Sequence, residues 1–406
     1  MRGNGQGPLN PPVAVPRATI IVAGAGIGGL TAALALADKG FRVILAEKAE
    51  RLEETGAGLQ LSPNASRVLI ALGLKSSLEG KAIAPDSVSV MSGPRGVELV
   101  RLPLVRSDAE APYWVIHRAD LQAALAARAG ANPLIELQLG CELENFTTEA
   151  DGVVANLRQG TTSQHRIAAS LIGADGLWST VRRQLDPAVQ PQFTGLIAWR
   201  GTIETRLPLD QSEAPRVQLW MGSNAHLVTY PIAHGQQTNV VAISSGQWHD
   251  QGWSVPATAA EAGAAFTASH WSEPARAIIA SVAQWRKWAL FTLPASTAWT
   301  NDRAALLGDS VHAMLPFAAQ GAGMAIEDAA VLARCIDEGS SDIPSALKRY
   351  ASLRRERVAR VQSLARQNGR IYHLAGPMAA ARDITMRLLG GHRLLARQNW
   401  IYSWRV

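Results

Sequence analysis

The feature that most constrains the fold is a glycine-rich turn between two apolar runs near the start of the chain. Residues 18–23 form a short apolar run, and Gly24, Gly26 and Gly29 follow it as G-x-G-x-x-G. Leucines and alanines then recur at helical spacing, and residues 41–46 form a second apolar run. Apolar runs without polar alternation are typical of parallel strands covered on both faces. The pattern predicts strand, turn, helix and strand, the opening unit of an α/β fold.

These glycines and one acidic residue have the arrangement that a dinucleotide requires. Gly24 permits the tight turn, Gly26 lets a pyrophosphate approach the backbone, and Gly29 lets helix and strand pack closely. The helix start presents free N–H groups and a partial positive charge to phosphates. Glu47 ends the second strand 18 residues after Gly29, where its carboxylate can accept ribose hydroxyl protons and would repel a 2′-phosphate. The residues predict a site for FAD or NAD and not for NADP.

Two later segments favour the flavin. SLIGADGLWSTVR (170–182) predicts a strand, a turn at Asp175 and a helix with Ser179 as its N-cap. Residues 304–335 predict a strand ending at Asp309, a proline-containing loop and a helix that opens at a glycine pair. A carboxylate at a strand end can bind ribityl or ribose hydroxyls, and a glycine-rich helix start can direct its positive end at the flavin ring.

Three ordered motifs carry a family resemblance: GAGIGG with Glu47, GADGLWSTVR, and LGDSVHAMLPFAAQGAGMAIEDA. Together they resemble the class A, single-component FAD-dependent aromatic hydroxylases, most closely the salicylate hydroxylase and 3-hydroxybenzoate 6-hydroxylase types. The resemblance implies an α/β fold with a Rossmann-like FAD-binding domain (the GR2-type flavoprotein fold), an inserted mixed β-sheet substrate domain and a helical C-terminus. The expected boundaries are a disordered N-terminus (1–17), an FAD domain (18–83, 106–190, 286–345), a substrate domain (84–105, 191–285) and a C-terminal helical region (346–406).

The resemblance also assigns cofactor roles to single residues. Gly24, Gly26, Gly29 and Glu47 would hold the adenosine half of FAD, and Arg118 the ribityl–pyrophosphate stretch. Asp175 would serve FAD and a transient NADH or NADPH, with Arg182 supporting it, and Asp309 would bind the ribityl hydroxyls. The residues expected to frame the flavin ring are Gly321, Ala322, Gly323 and Met324. A second G-x-G-x-x-G is absent from the sequence, as is usual where the nicotinamide cofactor has no Rossmann domain of its own.

Residues 216–245 predict antiparallel strands with polar turns at 222–224 and 234–237. His226 and Tyr230 alternate onto one face, which in the family fold would cover the flavin. His226, with an ordinary pKa of about 6.5, would bind or deprotonate a substrate phenol near pH 7, or it is a sheet histidine satisfied by a neighbour. Tyr230 is either a second catalytic group or a packing residue. The further residues expected at the substrate are Trp199, Arg200, Pro316 and Phe317.

The resemblance implies hydroxylation of a small phenolic, salicylate-like acid with NAD(P)H and O₂, through a C4a-hydroperoxyflavin. Two alternatives use the same nucleotide fold. One is an NAD-dependent dehydrogenase or reductase, and the other is a non-catalytic FAD-binding sensor. The sequence leaves the ring substrate, the site of hydroxylation, any accompanying decarboxylation and the choice of NADH or NADPH open.

Other features narrow the class of protein. His312 follows Asp309 by three residues without further ligands of metal spacing, so no metal is expected. Cys141 and Cys335 lie far apart, which favours a reducing cytoplasm over a disulfide framework. Apolar runs of about 18–20 residues, as a transmembrane helix needs, are absent from the sequence.

The positive charge is concentrated at the end of the chain. Residues 341–406 contain thirteen Lys and Arg but three Asp and Glu, while the whole chain has a net charge of +6. No nucleic-acid-binding motif accompanies this charge, so the arginines are interpreted as a solvated helical face or as a docking site for an anionic cofactor or membrane surface. An apolar stripe at Val358, Val361 and Leu364 suits an interdomain contact or a homodimer interface.

Overall fold

The computed structural model describes residues 17–52, 58–104, 111–204, 214–267 and 270–406, and the strands in those ranges form four sheets. The strands are β1 (Arg17–Ala23), β2 (Phe41–Glu47), β3 (Gly58–Leu61), β4 (Ser87–Ser92), β5 (Glu98–Pro103), β6 (Trp114–His117), β7 (Ile135–Leu139), β8 (Cys141–Thr148), β9 (Val153–Gln159), β10 (Thr162–Ala168), β11 (Ser170–Gly173), β12 (Gln192–Ile203), β13 (Arg216–Gly222), β14 (Ala225–Ile232), β15 (Gln237–Ser245), β16 (Ser254–Ala257), β17 (Trp285–Thr292), β18 (Thr300–Asn301) and β19 (Ala304–Leu306).

Helices pack against the six-stranded and the eight-stranded sheet and form the end of the chain. None in the described ranges is both long and apolar enough to span a bilayer. The helices are α1 (Ile27–Asp38), α2 (Pro63–Ala71), α3 (Lys75–Glu79), α4 (Arg118–Gly130), α5 (Thr180–Leu185), α6 (Ala259–Thr267), α7 (Glu273–Ala280), α8 (Asp309–His312), α9 (Gly321–Glu338), α10 (Ile343–Tyr372), α11 (Gly376–Ala396) and α12 (Asn399–Tyr402).

The predicted α/β unit is confirmed as the centre of the first sheet. Its strand order is β18-β19-β11-β1-β2-β7, and β19, β11, β1, β2 and β7 run parallel. In this sheet β2 lies on one side of β1, whereas β11 and β19, which come later in the chain, lie on the other side of β1. The crevice beyond the carboxyl ends of β1 and β11 is therefore a topological switch point, where open α/β sheets bind ligands.

The second sheet is mixed and has the order β16-β17-β12-β15-β14-β13-β4-β5. Its strands β13, β14 and β15 confirm the predicted antiparallel run and both predicted turns. Consecutive side chains of a strand lie on opposite faces. One face therefore covers an apolar core with α6 and α7, which includes Trp199, Trp220 and Phe266, and the other face is left for a ligand.

Three predicted boundaries change. β19 ends at Leu306 and not at Asp309, because Gly308 adopts a left-handed conformation (φ +62°) and Asp309 begins α8. β17 pairs with β12 in the second sheet, so we propose that the domain boundary follows Thr292 instead of residue 286. Strand β1 already begins at Arg17, and the remainder of the predicted disordered segment, like the boundary near residue 106, lies outside the described residues.

The interpretation of the basic C-terminal region as a solvated face is wrong for several of its arginines. Arg354 and Arg382 are buried and paired with carboxylates, and Arg357 donates to Glu327 and to the carbonyl oxygens of Trp400 and Ile401. The apolar stripe of α10 is confirmed, and it packs on the core of the same chain. The stripe is thus an intramolecular contact.

Candidate active site

The glycine turn is held in the conformation that its sequence predicts. Gly24 has φ +98°, and a Cβ there would lie 2.5 Å from the Ala174 carbonyl oxygen, so a side chain is excluded for two reasons. A Cβ at Gly29 would lie 1.8 Å from the Gly24 carbonyl oxygen, so the lack of a side chain lets the helix lie close to the turn. The Glu47 carboxylate accepts the Ala25 N–H at 2.7 Å and so fixes the turn from the neighbouring strand.

Two cavities meet along this turn and form one trough. The first, of about 230 Å³, is lined by Gly24, Glu47 and Asp175. The second, of about 310 Å³, is lined by residues from both large sheets and extends to the face of the second sheet. Both are lined by Gly26, Ala174 and Gly176. The trough therefore runs from the end of β2 across the glycine turn to the second sheet.

The residues after β11 close one side of the trough. Asp175 accepts the N–H groups of Thr180 and Val181 through Oδ2, and within the described chain its buried Oδ1 has no hydrogen-bond partner. The predicted N-cap is confirmed, since the Ser179 hydroxyl accepts the Arg182 N–H at 2.9 Å. The buried Arg182 guanidinium donates to the Ser310 carbonyl oxygen at 3.0 Å and joins this segment to the one after β19.

The start of α9 closes the other side. Gly321 and Ala322 line the second cavity, together with Asp309 and Arg118. A Cβ at Gly321 would meet no atom within 4 Å, so this helix end faces open space, and its N-cap residue makes no side-chain capping bond. The start of α1 opens into the same cavity, so two helix N-termini with partial positive charge converge there.

Two of the predicted flavin-framing residues do not line this cavity. Gly323 faces Gln320 and Asn64, and Met324 is fully buried beside Arg354. Both lie in the first turn of α9 and face the protein interior. We therefore propose that only Gly321 and Ala322 of this run face the cofactor. Gly28, which also lines the cavity, was not singled out in the sequence analysis.

A buried ionic network positions the start of α9 and the approach to Asp309. Arg354 of α10 donates to Asp328 at 2.7 Å and to Glu327 at 2.6 Å. Asp328 also accepts the Gly308 N–H at 3.0 Å and contacts His312 at 2.5 Å. All these side chains are almost fully buried. His312, which follows Asp309 in the sequence, thus packs behind the cavity and not in it.

Acid should weaken this network. Burial raises the pKa of Asp328, but His312 and Arg354 outweigh burial and lower it to about 2, below its ordinary 3.8. The ionised carboxylate stabilises the fold above pH 3.8, and this stabilisation is lost as the pH falls through 2. Asp328→Asn should lower the free energy of unfolding by about 3–5 kcal/mol at pH 7. At pH 3 this loss should be smaller by about 1 kcal/mol. Urea unfolding measures both values.

The exposed Asp302 provides the control for that comparison. Asp302→Asn should leave the free energy of unfolding unchanged within about 0.5 kcal/mol at either pH. An equal loss for Asp328→Asn at both pH values would show that Asp328 does not titrate as described.

The ligand-facing side of the second sheet follows from its register. Arg200, Val241 and Val228 are neighbours across β12, β15 and β14, and Ile243 is the partner of His226. All of these residues line the second cavity, as does Tyr230, so the predicted face is confirmed as a cavity wall. Val241 and Ile243 were not singled out in the sequence analysis, although their alternation along β15 matches that along β14.

The prediction that Trp199 binds substrate is corrected, because Trp199 does not line the cavity. It neighbours Arg200 in β12 and therefore lies on the opposite face, where its indole N–H donates to Ser244 at 3.0 Å within the α6–α7 core. Pro316 lines the cavity. Phe317 lies behind it, with its ring centroid 5.0 Å from that of His226.

His226 has a partner that the sequence analysis missed. Its Nδ1 lies 2.9 Å from Nε2 of His373, the residue that follows α10. Burial, and then the proximity of His373, holds the pKa of His226 well below its usual range, and burial lowers the pKa of His373 to about 4. Both pKa values lie below the ordinary 6.5, so both imidazoles are neutral at pH 7. A neutral ring accepts through one nitrogen and donates through the other.

Tyr230 cannot serve as a base. Burial raises the pKa of its hydroxyl, although the nearby Arg200 acts in the opposite direction. The phenol keeps its proton at neutral pH and is available only as a hydrogen-bond donor or a neutral acceptor. This leaves His226 as the group on this wall that can take up a proton.

The trough fits an FAD molecule on several independent observations. Open helix starts at Gly26 and Gly321 suit a pyrophosphate and the electron-rich edge of a flavin ring. Buried Asp175 Oδ1 is an acceptor without a donor in the described chain, and Asp309 and Glu47 add carboxylates at the two ends. Carboxylates and bare backbone amides are the groups that bind ribityl and ribose hydroxyls and phosphates.

Comparisons with known proteins agree with this geometry. A family model described as an FAD binding domain matches residues 17–365. The chain is 35% identical to 3-hydroxybenzoate 6-hydroxylase 1 of Aquipseudomonas alcaligenes, over 95% of this chain and 97% of the relative. It is 35% identical to 3-amino-4-hydroxybenzoate 2-monooxygenase PtmB3 of Streptomyces platensis, over 96% and 97%. A solved salicylate hydroxylase substrate complex superposes with a TM-score of 0.80 at 28% identity, over 96% of each chain.

Proposed function

This chain belongs to the FAD-binding-domain family of FAD-dependent aromatic hydroxylases, and we propose that it hydroxylates the ring of a small phenolic carboxylic acid. One observation supports this substrate class above others. The same cavity wall carries a neutral histidine, His226 on β14, and a cationic side chain, Arg200 on β12, with only β15 between their two strands. A phenol and a carboxylate on one small ring would meet these two groups.

The protein residues position the ring and control its proton. Bound FAD supplies the activated oxygen that is transferred to the substrate. His226 accepts the phenolic proton, which makes the ring more nucleophilic, and Arg200 binds the carboxylate in a charge-assisted hydrogen bond. Val228, Val241 and Ile243 keep the space between them apolar and exclude water. Tyr230 keeps its proton, so its hydroxyl can donate a hydrogen bond to a bound ligand.

The proposal also includes the reductant and the cellular compartment. We propose that NADH or NADPH binds transiently, because a second dinucleotide-binding motif is absent from the sequence. We expect a cytoplasmic enzyme, on the cysteine content alone. The dehydrogenase and sensor alternatives are not favoured, since the relatives described above are named hydroxylases and monooxygenases.

A substrate panel tests the proposal. Purified protein is incubated with NADH and 3-hydroxybenzoate, salicylate, 3-amino-4-hydroxybenzoate or 6-hydroxynicotinate, and NADH oxidation, O₂ uptake and peroxide release are recorded. We expect at least one acid to stimulate NADH oxidation and to yield a product heavier by one oxygen atom. Oxidation or reduction of substrate without O₂ would instead establish the dehydrogenase, and FAD without any stimulated NADH oxidation would establish the sensor.

Arg200 should determine the preference for acids. Arg200→Gln removes the cation, and a lost charge-assisted pair costs about 2–5 kcal/mol, so KM for the preferred acid should rise by about 30-fold or more. KM for the matching phenol without a carboxylate should change little. Steady-state kinetics on both compounds give the comparison.

Arg286 is the matched control, because it is the cross-strand partner of Arg200 and lies over the same Trp288 ring. It donates to Ser254 and is not among the residues lining the cavity. Arg286→Gln should leave the preference for acids intact. Equal effects of the two substitutions would remove Arg200 from the substrate site.

A further inference from the structure

The histidine pair at the end of the cavity connects the site to the protein surface. His226 is 2% exposed and lines the cavity, whereas His373 is only half-buried. Because Nδ1 of His226 is engaged by His373, its Nε2 is the ring nitrogen left for a ligand. Two imidazoles in series therefore lie between the cavity and the outside of the molecule.

Several contacts hold His373 in this place. Its carbonyl oxygen accepts the N–H of Asn224 from the β13–β14 turn, and its N–H donates to Gly369. A Cβ at Gly369 would lie 2.6 Å from the Phe317 ring. Because glycine has no Cβ, the ring fits between α10 and His226. Tyr372 packs against His226, but its hydroxyl donates to the Phe317 carbonyl oxygen and is not part of the chain of nitrogens.

We propose that His373 is the second member of a proton relay, which carries the phenolic proton from His226 to solvent. The phenol O–H bond breaks and its proton binds Nε2 of His226. The Nδ1 proton of His226 then passes to Nε2 of His373, and the Nδ1 proton of His373 passes to water. Each ring ends neutral in its other tautomer, the substrate becomes a phenolate, and solvent gains one proton. The reverse transfers restore both tautomers when the product takes up a proton.

Burial explains why a relay is needed at this position. An imidazolium is poorly tolerated here, because burial disfavours the charged form of both histidines. His226 alone could accept the phenolic proton only by becoming charged. With His373 as the onward acceptor, the charge leaves the cavity, although His373 itself does not touch the substrate.

The proposal rests on the proposed function, because it requires a phenolic ligand, and proton release on binding tests it directly. The FAD-loaded enzyme is mixed with 3-hydroxybenzoate in weakly buffered solution containing a pH-indicator dye, and proton release is followed by stopped flow. The wild-type enzyme should release a proton on binding. 3-Methoxybenzoate, which has no phenolic proton, should release none.

Two substitutions separate a relay from a purely positioning role. His373→Phe keeps the packing against Phe317 and removes both nitrogens, and His373→Gln keeps one hydrogen bond to His226 but cannot transfer a proton. Both variants should bind 3-hydroxybenzoate within about threefold of wild type, release the proton at least about tenfold more slowly, and lose kcat with little change in KM. Added imidazole should restore part of the rate in His373→Phe.

The control is His165→Phe, since His165 is an exposed histidine on β10 that lines neither cavity. It should release the proton at the wild-type rate. Wild-type proton release in both His373 variants would overturn the relay, and so would full recovery of kcat by His373→Gln alone. Failure of the wild-type enzyme to bind any phenolic acid would overturn the proposed function, and the relay with it.

Discussion

His226→Ala should lower hydroxylation by about 10²–10⁴-fold while FAD remains bound. The residue lies on β14 of the second sheet, across the cavity from the glycine turn and α9, so its removal leaves the groups proposed to hold FAD in place. The loss arises because no other group on the wall can take the phenolic proton. Tyr230 stays protonated and Arg200 has no basic lone pair.

In His226→Ala, product formation should fall further than peroxide release. The alanine leaves space beside Phe317 that water can enter, so NADH oxidation should continue in part and yield more peroxide for each product molecule. His226→Gln fills the space and keeps a hydrogen bond, and it should reduce peroxide without restoring hydroxylation. A wild-type rate of product formation in His226→Ala, measured by mass, would remove this residue from the mechanism.

Asp309→Ala should yield protein that loses FAD during purification. Asp309 lines the cavity between the two helix starts, directly after Gly308, whose N–H is fixed by Asp328. Each lost hydrogen bond to a ligand hydroxyl costs about 1–3 kcal/mol, which is about 5- to 150-fold in affinity, and a carboxylate can accept two. The ratio of flavin to protein absorbance and an FAD titration of the apoprotein measure the effect.

Two further variants control for misfolding. Asp309→Asn keeps one acceptor oxygen and should retain an intermediate amount of FAD. Asp302→Asn removes an exposed carboxylate in the same stretch of chain, keeps a residue type that tolerates the positive φ at this position, and should stay fully loaded. Yellow, stoichiometrically loaded Asp309→Ala protein would show that the cofactor is held without this residue.

The cofactor half of the site was predictable because its determinants are local. The turn at Gly24, the contact of Gly29 with the Gly24 carbonyl oxygen and the N-cap at Ser179 each involve residues a few positions apart. Helical and strand periodicity also identified the wall that carries His226 and Tyr230, since alternation alone places both on one face. For these features the chain's own spacing determines the geometry.

The missed and corrected residues depend on contacts between distant segments. His373 lies 147 positions from His226, and its surroundings in the sequence resemble any helix end. Arg354 sits in an arginine-rich run that is typical of a solvated face, and only its contact with two acids of α9 shows that it is buried. Trp199 and Arg200 are adjacent in β12, so alternation places their side chains on opposite faces of the sheet. Alternation alone does not determine which of the two side chains faces the cavity.

By itself, the sequence determined the dinucleotide turn and the strand–helix–strand unit around it, because both are encoded in short-range spacing, and the resemblance of its three motifs to a known family implied the chemical class of the enzyme. Three properties were decided by the tertiary structure alone. They are the protonation state of His226, the position of His373 as its proton acceptor, and the presence of Arg200 on the same cavity wall. Those properties depend on burial and on which surfaces are packed together, and both arise only when segments far apart in the chain come into contact.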